Sequence, residues 1–536
     1  MTLEPTARPS RTADPSATRG DLRFGTVPGL LAQAVAEHGP RVAIEDGEHH
    51  ITFDTLGAMV ERAARALAGR GVGRGDRVAI WAPNLWEWVV AGLAIHTLGA
   101  ALVPINTRYK GPEARFILER SGAKLLFTVD GFLGLDFCAM LDWPELPTVL
   151  FRHPSWDDFV AEGQHAPVVD TSQVQPEDVL DVLFTSGTTG QPKGVMCTHA
   201  QTLRAFWAWT EVVGLAATDR YLVVAPFFHA FGYKAGWLAA LMRGATILPQ
   251  ATFDVDAVLK RIPRDRVSVL PGPPALYQTF LLRDDLRDHD LSSLRLAVTG
   301  AATIPVQLIH DMRDVLGFDT VITGYGLTES TGVVTMCRHD DDPQTIATTS
   351  GRAIPGVAVK TVDEQGVATA PGQPGHVLVR GYNVMLGYLD QPEETAATVV
   401  DGWLHTGDVG ILDERGYIRI TDRIKDMFIV GGFNAYPAEI EHTLLTHPAV
   451  ADAACIGVPD RRLGEVGAAF LVPRPDHELP DGRVLTAWCR ERMANFKVPR
   501  HFVSLDALPR NASGKVTRFV LKARWQHELA EGQSDV

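Results

Sequence analysis

The chain has 536 residues, 46% hydrophobic and 21% charged, with a formal net charge of −14. That composition excludes a fibrous or wholly disordered protein, and the acidic balance argues against a nucleic-acid binder, which needs a basic footprint. The length allows three or four structural units, and the five scattered cysteines (Cys138, Cys197, Cys337, Cys455, Cys489) contain no CxxC pair, so neither a zinc cluster nor a disulfide framework is expected.

Residues 1–22 mix Pro, Ser, Thr, Ala and charge without the apolar stretch of a secretory signal, and read as a disordered arm of a cytoplasmic protein. From about residue 23 to 422, helix-like and strand-like segments alternate. "FDTLGAMVERAARALAGRG" is amphipathic and ends in glycine, as helices do. "DRVAIWAPN" predicts a short buried strand, with a helix from about Leu85 and a strand near Val103 after it. The uncharged run Trp88–Thr107 is interrupted by Gly92, His96, Gly99 and Pro104, so no transmembrane anchor is expected. "AKLLFTVD", "RYLVVAPFF", "VSVLPGPP" and "LRLAVTGAA" repeat the strand pattern. Strands alternating with helices predict an α/β domain of mostly parallel sheets flanked by helices, with ligands bound beyond the carboxyl ends of the strands.

After the strand-like "DVLF" comes "TSGTTGQPKG", with Thr185, Ser186, Gly187, Thr188, Thr189, Gly190 and Lys193. Small residues let backbone N–H groups converge on phosphate oxygens, while hydroxyls and one lysine add donors. It is not a Walker A loop, because Gly194 stands where Ser or Thr should follow the lysine. Around residue 376 the texture turns β-rich and glycine-dense, predicting a barrel-like subdomain. A boundary is placed near Asp422–Lys425, with a small α+β domain over 428–536.

"TSGTTGQPKG" resembles the signature of the adenylate-forming superfamily of acyl-CoA synthetases, peptide-synthetase adenylation domains and beetle luciferases. "GYGLTES", "HTGD", "TDRIKDMFIVGGFNAYPAEIE" and "RNASGKV" follow in the family's order. The resemblance implies a small domain that moves, with ATP, Mg²⁺ and CoA as cofactor and co-substrates of a carboxylic acid. It implies that Tyr325, between Gly324 and Gly326, lies against adenine, that Thr328 reaches the α-phosphate, and that Glu329 holds Mg²⁺. Asp408 and Arg423 would bind the ribose; taken singly, they would read as a surface ion pair. Lys515 would bridge the incoming carboxylate and the α-phosphate, where losing one such donor typically costs about 10²–10³ in rate. Lys425 would be the pivot of a hinge at 423–427, and Gly431 and Gly432 would leave room for the CoA arm.

On the acyl side, His229 in "PFFHAFGYKAG" would border the pocket, a packed core histidine being the alternative, with Gly300 and Ala301 opposite. Lys234, five residues beyond His229, reads as a solvated helix position. "VLPGPPALYQ", "AVTGAATIPV" and "TMCRHDDD" are similar to the acyl-CoA ligases of bacterial steroid degradation, which act on a bicyclic indanedione propanoate. A medium- or long-chain fatty-acyl-CoA or aryl-CoA synthetase is the alternative, and a catalytically silent acyl or nucleotide sensor the rival of another class. The sequence leaves oligomeric state open, a homodimer included.

Overall fold

In a computed structural model, the described residues are 19–532 except 186–190, 301–303, 305, 364, 424–427, 436, 475–476, 510–515 and 517. The central sheet has seven strands in the order Gly387–Tyr388, Lys193–Thr198, Val179–Thr185, Ala101–Pro104, Arg77–Trp81, Leu126–Thr128, Thr148–Leu150. From Val179–Thr185 to the far edge every pairing is parallel, while Lys193–Thr198 returns antiparallel against Val179–Thr185. A second sheet pairs Arg220–Val223, Thr246–Pro249 and Val42–Asp46 in parallel, with a hairpin strand His49–Thr52 at its edge. A third places Leu296–Gly300 beside Thr320–Tyr325, also parallel. Parallel strands buried on both faces explain why these segments read as continuous apolar runs rather than alternating ones. "VSVLPGPP" departs from expectation: only Val269 bridges, joining Tyr221 to Leu296 between the two sheets.

The helices follow their signals. Phe53–Gly69 begins where the Thr52 side chain accepts a hydrogen bond from the Thr55 N–H, and buries Phe53, Leu56, Val60, Ala63, Ala64 and Leu67 along one face. Trp86–Thr97 is buried on every side, which accounts for its apolar sequence, Glu87 apart, without a membrane. No described helix is long and apolar enough to cross one. Asn84, just before that helix, is buried and ties down the chain leaving the strand Arg220–Val223. Its amide donates to Val223 O and Ala225 O and accepts from the Phe227 N–H.

The β-rich segment forms an antiparallel sheet of Val357–Val362, Pro374–Gly381, Trp403–Leu412, Val399–Val400 and Ile418–Arg423, with a small core of its own around Val377, Val379, Leu404 and Ile418. From Phe428 onward a separate hydrophobic core gathers Phe428, Ile440, Leu444, Ile456, Phe470 and Leu485. It lies between the sheet of Phe433–Ala435, Phe428–Val430, Gly464–Pro473 and Val450–Asp460 and the helices Pro437–Leu445 and Gly482–Arg490. The described cysteines are all free, as their spacing predicted.

Candidate active site

The phosphate loop joins two strands paired face to face. Thr185 ends one and Lys193 begins the other, directly opposite in register. The intervening Ser186, Gly187, Thr188, Thr189 and Gly190 lie outside the described residues. Lys193 is nearly buried, at 9% side-chain exposure, and its ammonium pairs with Glu394, whose side chain is 43% exposed. The same ammonium lies 5.2 Å from the ring centroid of Tyr388. A charge taken out of water is costly unless it is paired, and Glu394 supplies the partner.

Tyr388 then reaches across to the next motif: its hydroxyl donates to Glu329 Oε1 at 3.0 Å. Burial and the neighbouring carboxylate hold the phenol well above its ordinary pKa, so it stays a donor. Met385 N donates to Glu329 O and Leu389 N to Gly194 O, which clasps residues 385–389 between the two motifs. Thr328 and Glu329 sit in a single 3-10 turn, Thr328–Ser330.

Gly324, Tyr325 and Gly326 close the parallel strand Thr320–Tyr325, with Gly300 beside Gly324 at the end of its neighbour. At Gly326 a Cβ atom would stand 2.3 Å from Gly332 O, so no other residue fits without moving backbone. At Gly324 it would stand 3.0 Å from Thr335 O. The Tyr325 hydroxyl between them donates to Asp408 Oδ2 at 2.5 Å, and Asp408 is 2% exposed. Asp408 lies in register with Arg423 on the adjacent antiparallel strand. The backbone thus brings the two expected ribose residues together; the Arg423 side chain is outside what is described.

On the acyl side, His229 caps a short helical turn, its Nδ1 accepting from the Phe231 N–H. His229 is exposed, yet desolvation by the surrounding groups lowers its pKa below the ordinary histidine value. It is therefore neutral at pH 7. A Cβ on Gly332 would meet Ala230 Cβ at 3.1 Å and Phe206 Cζ at 3.4 Å, so this glycine sets the width of the chain's approach to the same turn. Ala301 lies outside the described residues.

The expectation for Lys234 is overturned. It is fully buried in a π-helical turn, Tyr233–Leu238, with its Nζ 3.0 Å from Asp181 Oδ2, which is also fully buried. Burial opposes its charge, but Asp181, and then Cys197, more than offset this and keep it protonated. Helical spacing could not show that all six residues of that turn face protein. A partner on the strand leading into the phosphate loop, not water, satisfies the charge.

In the small domain, Gly431 and Gly432 form the tip of the hairpin between Phe428–Val430 and Phe433–Ala435, both at positive φ. Its Phe433 faces the large domain, with the Arg108 guanidinium 5.7 Å from the ring centroid. Lys425 and Lys515 lie outside the described residues. Nothing in the sequence had singled out Tyr388, Glu394 or Asn84. Tyr388 stands in "MLGYLD", where the glycine before it was the only cue.

This geometry agrees with the comparisons to known proteins. The model of the AMP-binding enzyme family matches residues 31–389, and that of the AMP-binding enzyme C-terminal domain matches residues 439–515. The chain belongs to the AMP-binding enzyme family. It is 49% identical over 93% of its length, and 98% of the relative's, to the 3-[(3aS,4S,7aS)-7a-methyl-1,5-dioxo-octahydro-1H-inden-4-yl]propanoyl:CoA ligase of Rhodococcus jostii (strain RHA1). It is 50% identical, with the same coverage, to the ligase of that name from Mycobacterium tuberculosis (strain H37Rv). Among solved structures, a double mutant of o-succinylbenzoate CoA synthetase from Bacillus subtilis, bound with its product analogue OSB-NCoA, matches with a TM-score of 0.81 at 31% identity, covering 92% of this chain and 98% of that one. The same synthetase in complex with AMP, at 30% identity and 92% and 98% coverage, matches at 0.65.

The AMP-binding enzyme is an ATP-dependent acid–thiol ligase. Carboxylic acid and ATP give acyl-AMP and pyrophosphate; CoA then gives acyl-CoA and AMP. Mg²⁺ assists the first step, and the residues present suit it. A magnesium site on nucleotide phosphates takes one or two carboxylates rather than a protein cage. Glu329 offers one carboxylate, held in place by Tyr388, and no cluster of three or more His, Cys, Asp or Glu exists among the described residues.

Tyr388→Phe removes a hydrogen bond to a carboxylate that must be aimed. We expect about a tenfold fall in acid-dependent pyrophosphate–ATP exchange, eased by raised Mg²⁺, with the melting temperature within about 2 °C of wild type. Exchange assays across a Mg²⁺ series check this.

Proposed function

We propose that the protein activates a steroid-derived bicyclic indanedione propanoate as its CoA thioester, in the cytoplasm, where ATP and CoA are available and its free thiols stay reduced. What carries the reading is the 49–50% identity to two ligases of that acid over 93% of the chain. The side chains that face Gly332, those of Ala230 and Phe206, are apolar, which suits a fused-ring acid. Selectivity of this kind is worth only about 1–3 kcal/mol per methylene, so overall identity supports the acid better than any single residue does.

The site residues take the following roles. Thr185, the loop 186–190 and Lys193 bind the ATP phosphates. Entering phosphate displaces Glu394 from Lys193, and Glu394, already half in water, turns outward at little cost. Tyr325 stacks on adenine, Gly324 and Gly326 leaving that face open, while Asp408 and Arg423 hold the ribose. Thr328 donates to the α-phosphate, and Glu329, aimed by Tyr388, would hold Mg²⁺, which would supply positive charge beside the phosphates. The substrate carboxylate oxygen attacks the α-phosphorus, the bond to pyrophosphate breaks, and Lys515 stabilises the charge developing between them. Rotation within 423–427, about Lys425, then removes Lys515 and brings the Gly431–Gly432 hairpin to the site. The CoA sulfur, losing its proton, attacks the acyl carbon and AMP leaves.

Purified protein offered the bicyclic propanoate, a simple cyclic propanoate, medium- and long-chain fatty acids and benzoate is expected to release AMP fastest with the first, and only when CoA is present. Faster turnover of a fatty or aryl acid overturns the substrate; ATP binding without turnover of any acid revives the sensor reading. Lys515→Ala is expected to lose acyl-AMP formation by about 10²-fold or more while still converting supplied acyl-AMP and CoA to thioester. Equal loss of both steps contradicts the role given to Lys515.

A further inference from the structure

A third buried lysine, after Lys193 and Lys234, lies where the small domain meets the large one. Lys497 is only 2% exposed, and its Nζ donates to Glu113 Oε1 at 2.7 Å and to Glu439 Oε1. Glu113 belongs to the large domain, at the third residue of the helix Gly111–Ser121. Glu439 belongs to the small domain, at the third residue of the helix Pro437–Leu445. The Lys497 ammonium also lies 4.2 Å from the ring centroid of Tyr109, just ahead of the first helix. Two helix N-termini, each carrying a glutamate, therefore converge on one cation. Without it two carboxylates would face each other.

We propose that Lys497 and Glu113 are positioning residues for the thiol step: their contact holds the small domain in the arrangement that admits CoA to the acyl-AMP, and breaks when the domain returns for adenylation. This rests on the two-step reading above. Three observations support it. The contact shares its face with Phe433, which adjoins the Gly431–Gly432 tip, stacks on Phe496 at 4.9 Å and meets Arg108. The arrangement in which the contact is made is the one nearer to the CoA-analogue-bound form of the Bacillus subtilis synthetase, at a TM-score of 0.81. The acyl-adenylate and AMP complexes of that protein match at 0.66 and 0.65. These are forms of one fold, so the difference lies in how its parts are set.

The third observation is the division of partners. Glu439 travels with Lys497, so separation never strands a bare buried lysine in the small domain. Glu113 keeps its Oε2 on the Lys110 N–H when Oε1 lets go. A contact that must open at every turnover cannot be a large apolar one, and a buried ion pair is directional yet small in net free energy. The contact is thus specific without being permanent.

Glu113→Gln is the clean test, since it keeps side-chain volume and an acceptor for Lys110 N–H while removing the charge. In the full-length protein we expect pyrophosphate–ATP exchange within twofold of wild type. Thioester formation from supplied acyl-AMP and CoA falls at least tenfold, and the melting temperature stays within about 2 °C. Lys497→Met is expected to show the same split with some loss of stability. An unchanged thiol step in Glu113→Gln overturns the proposal, as does a parallel fall of both half-reactions. Wild-type exchange is measured alongside: its absence with every acid would sink the two-step reading itself, a result distinct from an altered ratio between the steps.

Discussion

The candidate site is built around one constraint: a cation taken almost wholly out of water must be paired and aimed. Lys193 meets it by pairing with Glu394 and lying over Tyr388. That ring in turn orients Glu329, so the phosphate-loop cation and the carboxylate suited to the metal are linked through a single phenol. The parallel sheets supply rigid strand ends, and the near contact at Gly326 lets the backbones close on one another there. Preorganised donors in a partly dry cleft are worth more than the same groups in water, because no reorganisation is required when charge moves.

Much of this was legible in the sequence, and the reasons differ by element. The parallel strands showed as short apolar runs ending at glycine or proline, because both their faces are buried. The helix Trp86–Thr97 showed through the uncharged run from Trp88 onward, whose interruptions argued against a membrane span. The "TSGTTGQPKG" and "GYGLTES" motifs were readable because small residues and hydroxyls crowd together at fixed spacing where strands end. Asp408 was readable only within its motif; as a lone aspartate it is indistinguishable from any surface acid.

What stayed hidden depends on contacts between distant segments. Lys234 and Asp181 are 53 positions apart, and neither has a local signal that reveals the other. Only the stacking of a π-helical turn on the central sheet turns them into a buried pair. Lys497 and Glu113 are farther apart still, at |i−j| of 384. Lys234 was read as solvated and Lys497 was not singled out at all, yet each becomes a specifying interaction, because burial converts an otherwise weak surface pair into one that tolerates few geometries. One such pair is internal to the large domain and fixed; the other crosses between domains and is partitioned so that each half survives separation.

The two-step account turns on the carboxylate oxygen attacking the α-phosphorus of ATP. The most direct test is to supply an acid whose carboxyl carries ¹⁸O, with ATP, Mg²⁺ and CoA, and to weigh the products by mass spectrometry. The account predicts one ¹⁸O atom in AMP and none in pyrophosphate. Label in inorganic phosphate with ADP as the nucleotide product, or unlabelled AMP beside fully formed thioester, would contradict it.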